Sequence, residues 1–542
     1  MVGIQRPSMD HVQGTTYDLA IIGAGINGVA VAREAALRGL RVIVLEKGDF
    51  GSGTSAWSSR LMHGGLRYLE HGDLRLVHES LHDREALFRI APHLVTPLPF
   101  VVPVFKHNHL PGWMFRIGMY LYDALSLGKS VPAHRALGKK AVRVELPGLN
   151  SDGLRGALRY YDGQVTYAER LVLETLLSAV RAGAEAMNYA TVSDVVVENG
   201  SARGVRVHDD VADVDLTIGA RAVINAAGPW ADDLTAGHGI ERMIGGTKGT
   251  HLIVDPFPGA PDVAIYYEAR SDNRAILVIP WNGRYLIGTT DDRFSGELDA
   301  VAGTPEERDY LLAETNSLIP GAHLTPASVL YTYSGVRPLP YRATGSTGSI
   351  PRSHLILDHP QVAGLISIVG GKLTPHLSLG IEVVDRAAKR LGRTLRPSQV
   401  RKRPLPGAPR GDWRSEADAL KQTLPWPAPL TERLVNVYGT RVRDLLALTT
   451  SDPALGRVIG EGSSAMLAAE VVLAIEEEAA VHLTDILHRR TMVGLEPGLA
   501  VAIDADVAVV AAPLLGWDAG RIVQEVSDHR SYLARLHGGM AT

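Results

Sequence analysis

The chain has 542 residues and a formal charge of −4, from 55 basic and 59 acidic side chains. That length calls for about two to four domains, because single cores stop growing near roughly 250–300 residues. There is no cysteine, which excludes disulfides, zinc–thiolate sites, iron–sulfur clusters, a cysteine nucleophile and any thioether-linked cofactor. The mild acidity lacks the basic footprint of a nucleic-acid binder, so no nucleic acid is expected as a partner. Residues 1–17 carry Arg6 and Asp10 and no apolar run, so no secretory leader is expected. The most apolar stretch, Ala500–Trp517, is broken by Asp504, Asp506 and Pro513 and falls short of the ~20 residues of a membrane span.

Tyr17–Ile22 predicts a buried strand, Asn27–Arg38 an alanine-rich helix and Arg41–Glu46 a second strand. A βαβ unit this short requires parallel strands. Leu74–Ile90 predicts a charged helix, the prolines of Pro92–Pro111 an extended or loop segment, and Trp113–Leu125 another helix. A helix at Ala168–Ala182 precedes strands at Ala190–Val195, Ala202–Val207, Val214–Ile218 and Arg221–Asn225. Further strands are expected at Thr250–Val254, Ala275–Pro280, Tyr285–Gly288, Leu355–Leu357 and Leu365–Val369. Arg401–Asp412, rich in proline and glycine, reads as a linker, and the pattern beyond it is helical, as in Ser464–Ala480 and Trp517–Leu536. The expectation is a mixed α/β body over residues 1–400 and an all-helical domain over 401–542.

Gly23-Ala24-Gly25-Ile26-Asn27-Gly28 ends the first strand and opens the first helix, and Glu46 ends the next strand 18 residues after Gly28. This is a dinucleotide fingerprint over residues 18–46. Gly23 permits the turn, Gly25 lets backbone approach a pyrophosphate, and Gly28 lets helix and strand pack closely. The helix N-terminus offers N–H groups and partial positive charge to the phosphates, and Glu46 would accept from a ribose hydroxyl. Two further glycine signals end buried strands, Ile224-Asn225-Ala226-Ala227-Gly228-Pro229 and Ile368-Val369-Gly370-Gly371-Lys372. Thr374 and Pro375 follow as N-cap and first helical residue. A helix start there would stabilise negative charge on a reduced ring, which favours FAD over a nicotinamide.

These segments resemble the FAD-dependent, quinone-linked glycerol-3-phosphate dehydrogenases. The likeness rests on IIGAGINGVAVAREAALRGLRVIVLEKGDF, GTSAWSSRLMHGGLRYLEHGDLRLVHESL, VINAAGPW, GTKGTHLIVD, VIPWNGRYLIGTTD, YTYSGVRPL and VGGKLT, and runs over essentially the whole chain. It implies a Rossmann-like FAD-binding domain of D-amino-acid-oxidase type, an interleaved mixed-sheet substrate domain and a helical cap. It implies cofactor contacts from Ile26, Asn27, Lys47, Thr54, Ser55, Ser58 and Ser59. His63, Gly64, Gly65, Val192, Ala226, Ala227, Gly228 and Trp230 join them, as do Gly370, Gly371, Lys372, Leu373 and Thr374. Its substrate would be sn-glycerol 3-phosphate, oxidised to dihydroxyacetone phosphate.

Such a reaction needs a base for the hydroxyl proton and cations for the phosphate tail. Arg337, Arg352 and Lys372 are the expected substrate contacts, with Arg67 and Tyr68 adding to the pocket. Arg337 and Lys372 are also expected among the catalytic groups, and His251 in KGTHLIV is the expected base. The chain departs from the family after Gly370-Gly371-Lys372-Leu373-Thr374, where Pro375, His376 and Leu377 replace the usual Thr, Tyr and Arg. That puts substrate preference or rate in question. His78-Glu79-Ser80-Leu81-His82 matches a zinc-binding spacing without a third ligand, and no metal is expected.

Residues 101–140 hold six basic side chains, one acidic, and five aromatics (Phe105, Trp113, Phe115, Tyr120, Tyr122). Basic charge with amphipathic aromatics predicts monotopic attachment to the inner face of the cell membrane, from the cytoplasm, and suits electron delivery to a membrane quinone. A homodimer is expected. Three other readings stay open: an FAD-dependent oxidase of another hydroxy acid or a secondary amine, an oxygen-using glycerol-3-phosphate oxidase, and a non-catalytic membrane-associated flavoprotein sensor.

Overall fold

The computed structural model describes residues 3–65, 73–109, 112–345 and 347–537. Six strands frame the site: β1 (Thr16–Ile22), β2 (Val42–Leu45), β3 (Val214–Asn225), β4 (Thr247–Val254), β5 (Val329–Arg337) and β6 (Leu365–Val369). Five helices matter below: α1 (Ile26–Leu37), α2 (Leu74–Ile90), α3 (Gly112–Leu125), α4 (His376–Arg390) and α5 (Ala519–His537).

β6, β3, β1 and β2 pair in parallel in that order. They are short apolar runs because both faces are covered. One face is packed by α1, α4 and the helix Ala168–Val180, through residues such as Val29, Val383 and Leu171. The other is covered by the hairpin Ala190–Glu198/Ser201–Asp209, through Val195 and Val205 against Ala20 and Val223. The C-terminal ends of β1, β3 and β6 lie side by side. Gly23, Ala226–Gly228 and Gly370–Gly371, over three hundred residues apart in sequence, therefore meet at one edge, where ligands of such sheets bind.

The second sheet is mixed and ten-stranded. In it β4 lies antiparallel between β5 and Arg284–Gly288, which sets Tyr333 and Gly288 on either side of His251 and Arg337 opposite Thr247.

Three local expectations differ from the structure, and a fourth, the extended or loop proline-rich segment, is resolved as a strand. Val214–Ile218 and Arg221–Asn225 form one strand, β3, whose first half pairs antiparallel with Ser201–Asp209 and whose second half pairs parallel with β1. The switch falls at Gly219, opposite both Gly204 and Thr16, so the glycine marks a change of partner and not a turn. The proline-rich segment contains an eleven-residue strand, Val95–Phe105, paired with Leu154–Val165. Pro97, Pro99 and Pro103 are spaced in twos and fours, so their missing N–H groups share one edge and the ladder survives on the other. The C-terminal domain is not wholly helical: Val458–Ile459 pairs with Met466–Leu467, and this shortens the adjacent helix to Ala468–Glu476.

Nor is Arg401–Asp412 a free linker. Leu405 is buried and its N–H donates to the Ile90 carbonyl, while the Gly407 N–H donates to Glu174. The C-terminal domain is thereby seated on the body. Its helices share a core with the second sheet, Leu434 and Leu473 packing with Phe100 and Tyr331. Buried ion pairs seat it further: Asp49, in the turn after β2, accepts from Arg490 at 2.7 and 2.8 Å and from Arg489 at 2.5 Å. Glu478 accepts from Arg170 at 2.7 and 3.0 Å.

Candidate active site

One cavity of about 910 Å³ runs from the β1–α1 turn, between the two sheets, to β4 and β5. At the turn, Gly23 has φ +96°, and a Cβ on it would lie 2.6 Å from the Ala226 carbonyl oxygen. A Cβ on Gly28 would lie 1.9 Å from the Gly23 oxygen, so both positions require glycine. Glu46 reaches back under the turn, accepting from the Ala24 N–H at 2.7 Å and the Gly48 N–H at 3.0 Å. The Ser55 hydroxyl accepts from the Ile26 N–H at 2.9 Å, which caps α1 from a distant loop. Lys47 stacks 4.0 Å above Trp230 and pairs with Asp299 at 2.8 Å.

Asn27 fastens this end to the β6 turn. Its Nδ2 donates to the Gly370 carbonyl at 3.3 Å, and a Cβ on Gly371 (φ +97°) would lie 2.5 Å from that nitrogen. Asn27 Oδ1 and Trp230 Nε1 are buried and have no hydrogen-bond partner among the described residues. Both residues line the cavity, so each offers a polar atom to a bound group. The Thr54 hydroxyl donates to the Val336 carbonyl at 2.7 Å, and the Ser58 hydroxyl accepts from the Arg60 N–H at 3.2 Å.

Of the sequence-derived cofactor residues, Ile26, Val192, Ala227, Gly228 and Leu373 also line the cavity, whereas Gly28, Gly64, Gly65 and Gly370 do not. Gly64 lies behind the wall, its N–H donating to the Tyr122 hydroxyl at 3.0 Å, which in turn donates to Asp162 at 2.6 Å. Arg67 and Tyr68 fall outside the described residues.

Thr374 does not cap α4. Its hydroxyl accepts from the His63 N–H at 3.0 Å, and the helix begins one residue later, at His376. Pro375, His376 and Leu377, which depart from the family pattern, do not line the cavity. Leu377 is buried in the core, and His376 Nδ1 donates to the Leu373 carbonyl at 2.7 Å. The substitutions therefore alter packing beneath the turn and leave the cavity surface to Lys372, Leu373 and Thr374.

At the far end Arg337, Arg352, Lys372 and His251 converge on the cavity. Asp291, which sequence reasoning did not single out, ties the two arginines together. Its Oδ1 accepts from Arg337 at 3.0 Å and its Oδ2 from Arg352 at 2.7 Å. Arg337 also donates to the Thr289 hydroxyl at 3.0 Å. Burial alone would push the Asp291 carboxyl up, but Arg337 and Arg352 hold it below the usual carboxylate range. The run Thr289-Thr290-Asp291 inside VIPWNGRYLIGTTD was its only signal. Burial, reinforced by Arg352, pulls the Lys372 ammonium well below its ordinary value. The His63 imidazole, buried beside Lys372, is pulled down to about 3.

His251 is buried, with its ring 4.8 Å from that of Tyr333. Its Nε2 meets the Ser59 hydroxyl at 2.8 Å, while Nδ1 has no hydrogen-bond partner among the described residues. Burial, then the charges of Arg337 and Arg60, keep the ring neutral, with a pKa well below 6.5. His78 and His82 stack on the exposed face of α2. Among the described residues no group of three His, Cys, Asp or Glu side chains is placed to hold a metal ion.

The family model for FAD-dependent oxidoreductases matches residues 18–376, and that for the C-terminal domain of alpha-glycerophosphate oxidase matches residues 398–522. A glycerol-3-phosphate dehydrogenase of Synechocystis sp. is 42% identical over 96% of this chain and 97% of its own. The chain belongs to the FAD-dependent glycerol-3-phosphate dehydrogenase family. A D-erythritol 1-phosphate dehydrogenase of Brucella abortus is 35% identical over 88% of this chain and 94% of its own. Among solved structures, the glycerol-3-phosphate dehydrogenase of Bacillus halodurans complexed with FAD superposes with a TM-score of 0.80 at 26% identity, covering 97% of this chain and 96% of its own. The expected fold, an FAD-binding domain of D-amino-acid-oxidase type with mixed sheets and a C-terminal helical domain, is the one observed.

Proposed function

We propose that the protein oxidises sn-glycerol 3-phosphate to dihydroxyacetone phosphate on bound FAD and passes the electrons to a membrane quinone. The observation that carries the reading is the meeting of Arg337, Arg352, Lys372 and His251 in the same cavity as the Gly23–Glu46 turn. The residues fit FAD: glycines that no Cβ could replace, a half-buried carboxylate beneath the turn, and the orphaned polar atoms of Asn27 and Trp230. Gly23, Gly25 and α1 would hold the pyrophosphate, Glu46 the adenosine ribose, and Gly371 to Thr374 the isoalloxazine end. When bound, FAD supplies the acceptor for the electron pair of the carbinol C–H bond.

The chain's own residues do the rest. Arg337 and Arg352 present two guanidinium groups to the phosphate, spaced by Asp291. An arriving dianion gives Lys372 the counter-charge that restores its ammonium. With the tail fixed, the carbinol is held near His251, which accepts the hydroxyl proton at Nε2, on the side of Ser59. Trp57 and Leu61 present apolar surface to the cavity there.

No described helix is long and apolar enough to cross a membrane. Trp113, Met114, Ile117, Tyr120 and Leu121 of α3 are all exposed, at 63%, 43%, 58%, 61% and 37%. Their spacing makes one stripe along the helix. Its flanking lysines and arginines, with Leu127 beyond it, suit an interfacial helix on anionic lipid. We therefore propose attachment to the inner face of the cell membrane through α3.

Anaerobic addition of glycerol 3-phosphate to the FAD-loaded protein tests the reading. Bleaching of the flavin absorbance supports it, and no bleaching with any polyol phosphate leaves a sensor. The similarity to the Brucella enzyme favours D-erythritol 1-phosphate as the second substrate to try. A higher kcat/KM for it would transfer the assignment. Oxygen uptake without added quinone would replace the quinone as acceptor.

A further inference from the structure

The C-terminal helix α5 contributes its last turn to the wall of the cavity. Tyr532, Arg535 and Leu536 line the cavity together with Lys47 and Asp299. Arg535 donates to the Asp299 backbone carbonyl, and Lys47 pairs with the Asp299 carboxylate at 2.8 Å. Lys47 lies at the same time over the Trp230 ring at 4.0 Å. Three separate segments thus meet over one end of the cavity: the turn after Glu46, the loop at Leu298–Val301, and the end of α5.

The helix is held from behind, so its end is not free to drift. The Glu525 carboxylate accepts from the Leu483 N–H at 2.9 Å and contacts His482 at 2.8 Å. Arg530 pairs with Asp504 at 3.0 Å, and the Leu536 carbonyl accepts from the Thr332 hydroxyl at 2.8 Å. Arg535 has no carboxylate partner among the described residues; its guanidinium stacks over Tyr532 at 5.2 Å. Its charge is therefore available to an anion in the cavity.

We propose that the end of α5 is part of the FAD site, with Arg535 and Lys47 closing on Asp299 as a clasp over the adenosine–pyrophosphate half. The proposal rests on the FAD placement above. A chain without cysteine has no cysteinyl link to its flavin, and contacts of this kind would add to its retention. The contacts of Arg535 and Lys47 to Asp299 must break before the cofactor can leave past them.

The test is the rate of FAD release from holoenzyme, followed by flavin fluorescence with an excess of an FAD-specific apoprotein, apo-D-amino-acid oxidase, as trap and no substrate present. Arg535→Ala and Lys47→Ala should each release FAD about tenfold faster, or ~1.4 kcal/mol. The double variant should match the faster single one, as expected if both act through the same closure. Arg530→Ala removes the ion pair on the opposite side of the same helix and controls for general loosening. It should lower the melting temperature without changing release. Unchanged release in Arg535→Ala, or equal acceleration in Arg530→Ala, would overturn the clasp. The readout does not depend on which alcohol is oxidised, so a failed glycerol 3-phosphate assignment would leave it intact.

Discussion

Asp291→Asn isolates the element of the substrate site that motif reading passed over. The amide is isosteric, so the change removes one negative charge from between two guanidinium groups and leaves the packing. In the wild type, Asp291 makes one charge-assisted contact to each arginine, at 3.0 and 2.7 Å. Each such contact is typically worth about 1.5–3 kcal/mol. The arginine side chains are 25% and 17% exposed, so part of that is screened. Losing the common anion also leaves Arg337 and Arg352 to repel one another. A net loss of about 1.4–2.7 kcal/mol in the ordering of the phosphate site predicts kcat/KM for glycerol 3-phosphate lower by about 10- to 100-fold. Inhibition by inorganic phosphate should persist, because charge is retained while orientation is lost. The wild-type carboxyl is held below the usual carboxylate range and stays ionised from pH 5 to 9, as judged against an ordinary value near ~3.9. The deficit should therefore be constant over that interval. Stopped-flow flavin reduction against substrate concentration measures it. An unchanged kcat/KM, or a deficit that vanishes at pH 5, would refute the clamp.

Gly28→Ala should abolish FAD binding, measured by fluorescence titration of the apoprotein, since its Cβ would sit 1.9 Å from the Gly23 oxygen. Asp49→Ala leaves the buried Arg490 without its carboxylate and Arg489 with Asp485 alone, and should cost about 3–5 kcal/mol by denaturant unfolding. Buried neutral histidines make stability fall with acid. The His63 pKa is lowered to about 3 and that of His376 to about 4, so the unfolded chain binds their protons first as pH drops below ~6.5. Each contributes up to ~1.4 kcal/mol per pH unit between its unfolded and folded values, and His376→Asn should flatten the slope of melting temperature against pH by one such share. Trp113→Asp with Ile117→Asp should release the protein from anionic vesicles in a flotation assay, without changing flavin reduction by a soluble substrate.

The dinucleotide end of the site was legible because its chemistry is backbone chemistry. A turn that excludes Cβ atoms must be spelled with glycine, and Gly23, Gly25, Gly28, Gly370 and Gly371 spell it wherever they fall in the chain. Arg337 and Lys372 were legible for a related reason, as cations inside otherwise uncharged runs. Asp291 was not, because an aspartate after two threonines looks like any strand-end residue until the fold places two arginines on its oxygens. The single strand β3 was hidden by Gly219, which local rules read as a break although it marks an exchange of partners. The cavity-lining role of α5 was illegible for a deeper reason. Its amphipathic pattern reports that one face is buried, and nothing in a periodicity says that the burying surface is a cofactor cavity.

The same limit applies to α3, and there the structure adds a connection. Its outer stripe carries the exposed aromatics, but its inner face carries Tyr122, which accepts from the Gly64 N–H and donates to Asp162. Asp162 is held by the Arg84 guanidinium at 2.6 Å, from α2. A direct hydrogen bond therefore joins α3 to the backbone next to His63, a residue of the cavity wall, and a second ties the same phenol to Asp162. Phenol, carboxylate and guanidinium are all buried, so breaking the bridge leaves a buried charge poorly paired, which is costly in a way that loss of a surface contact is not. Displacing α3 is thus mechanically tied to displacing the turn at His63–Gly64. Under the proposed membrane attachment, α3 would be fixed to the cavity wall and not carried on a free surface loop, so the bilayer-facing side would also be the side from which a lipid-soluble acceptor approaches.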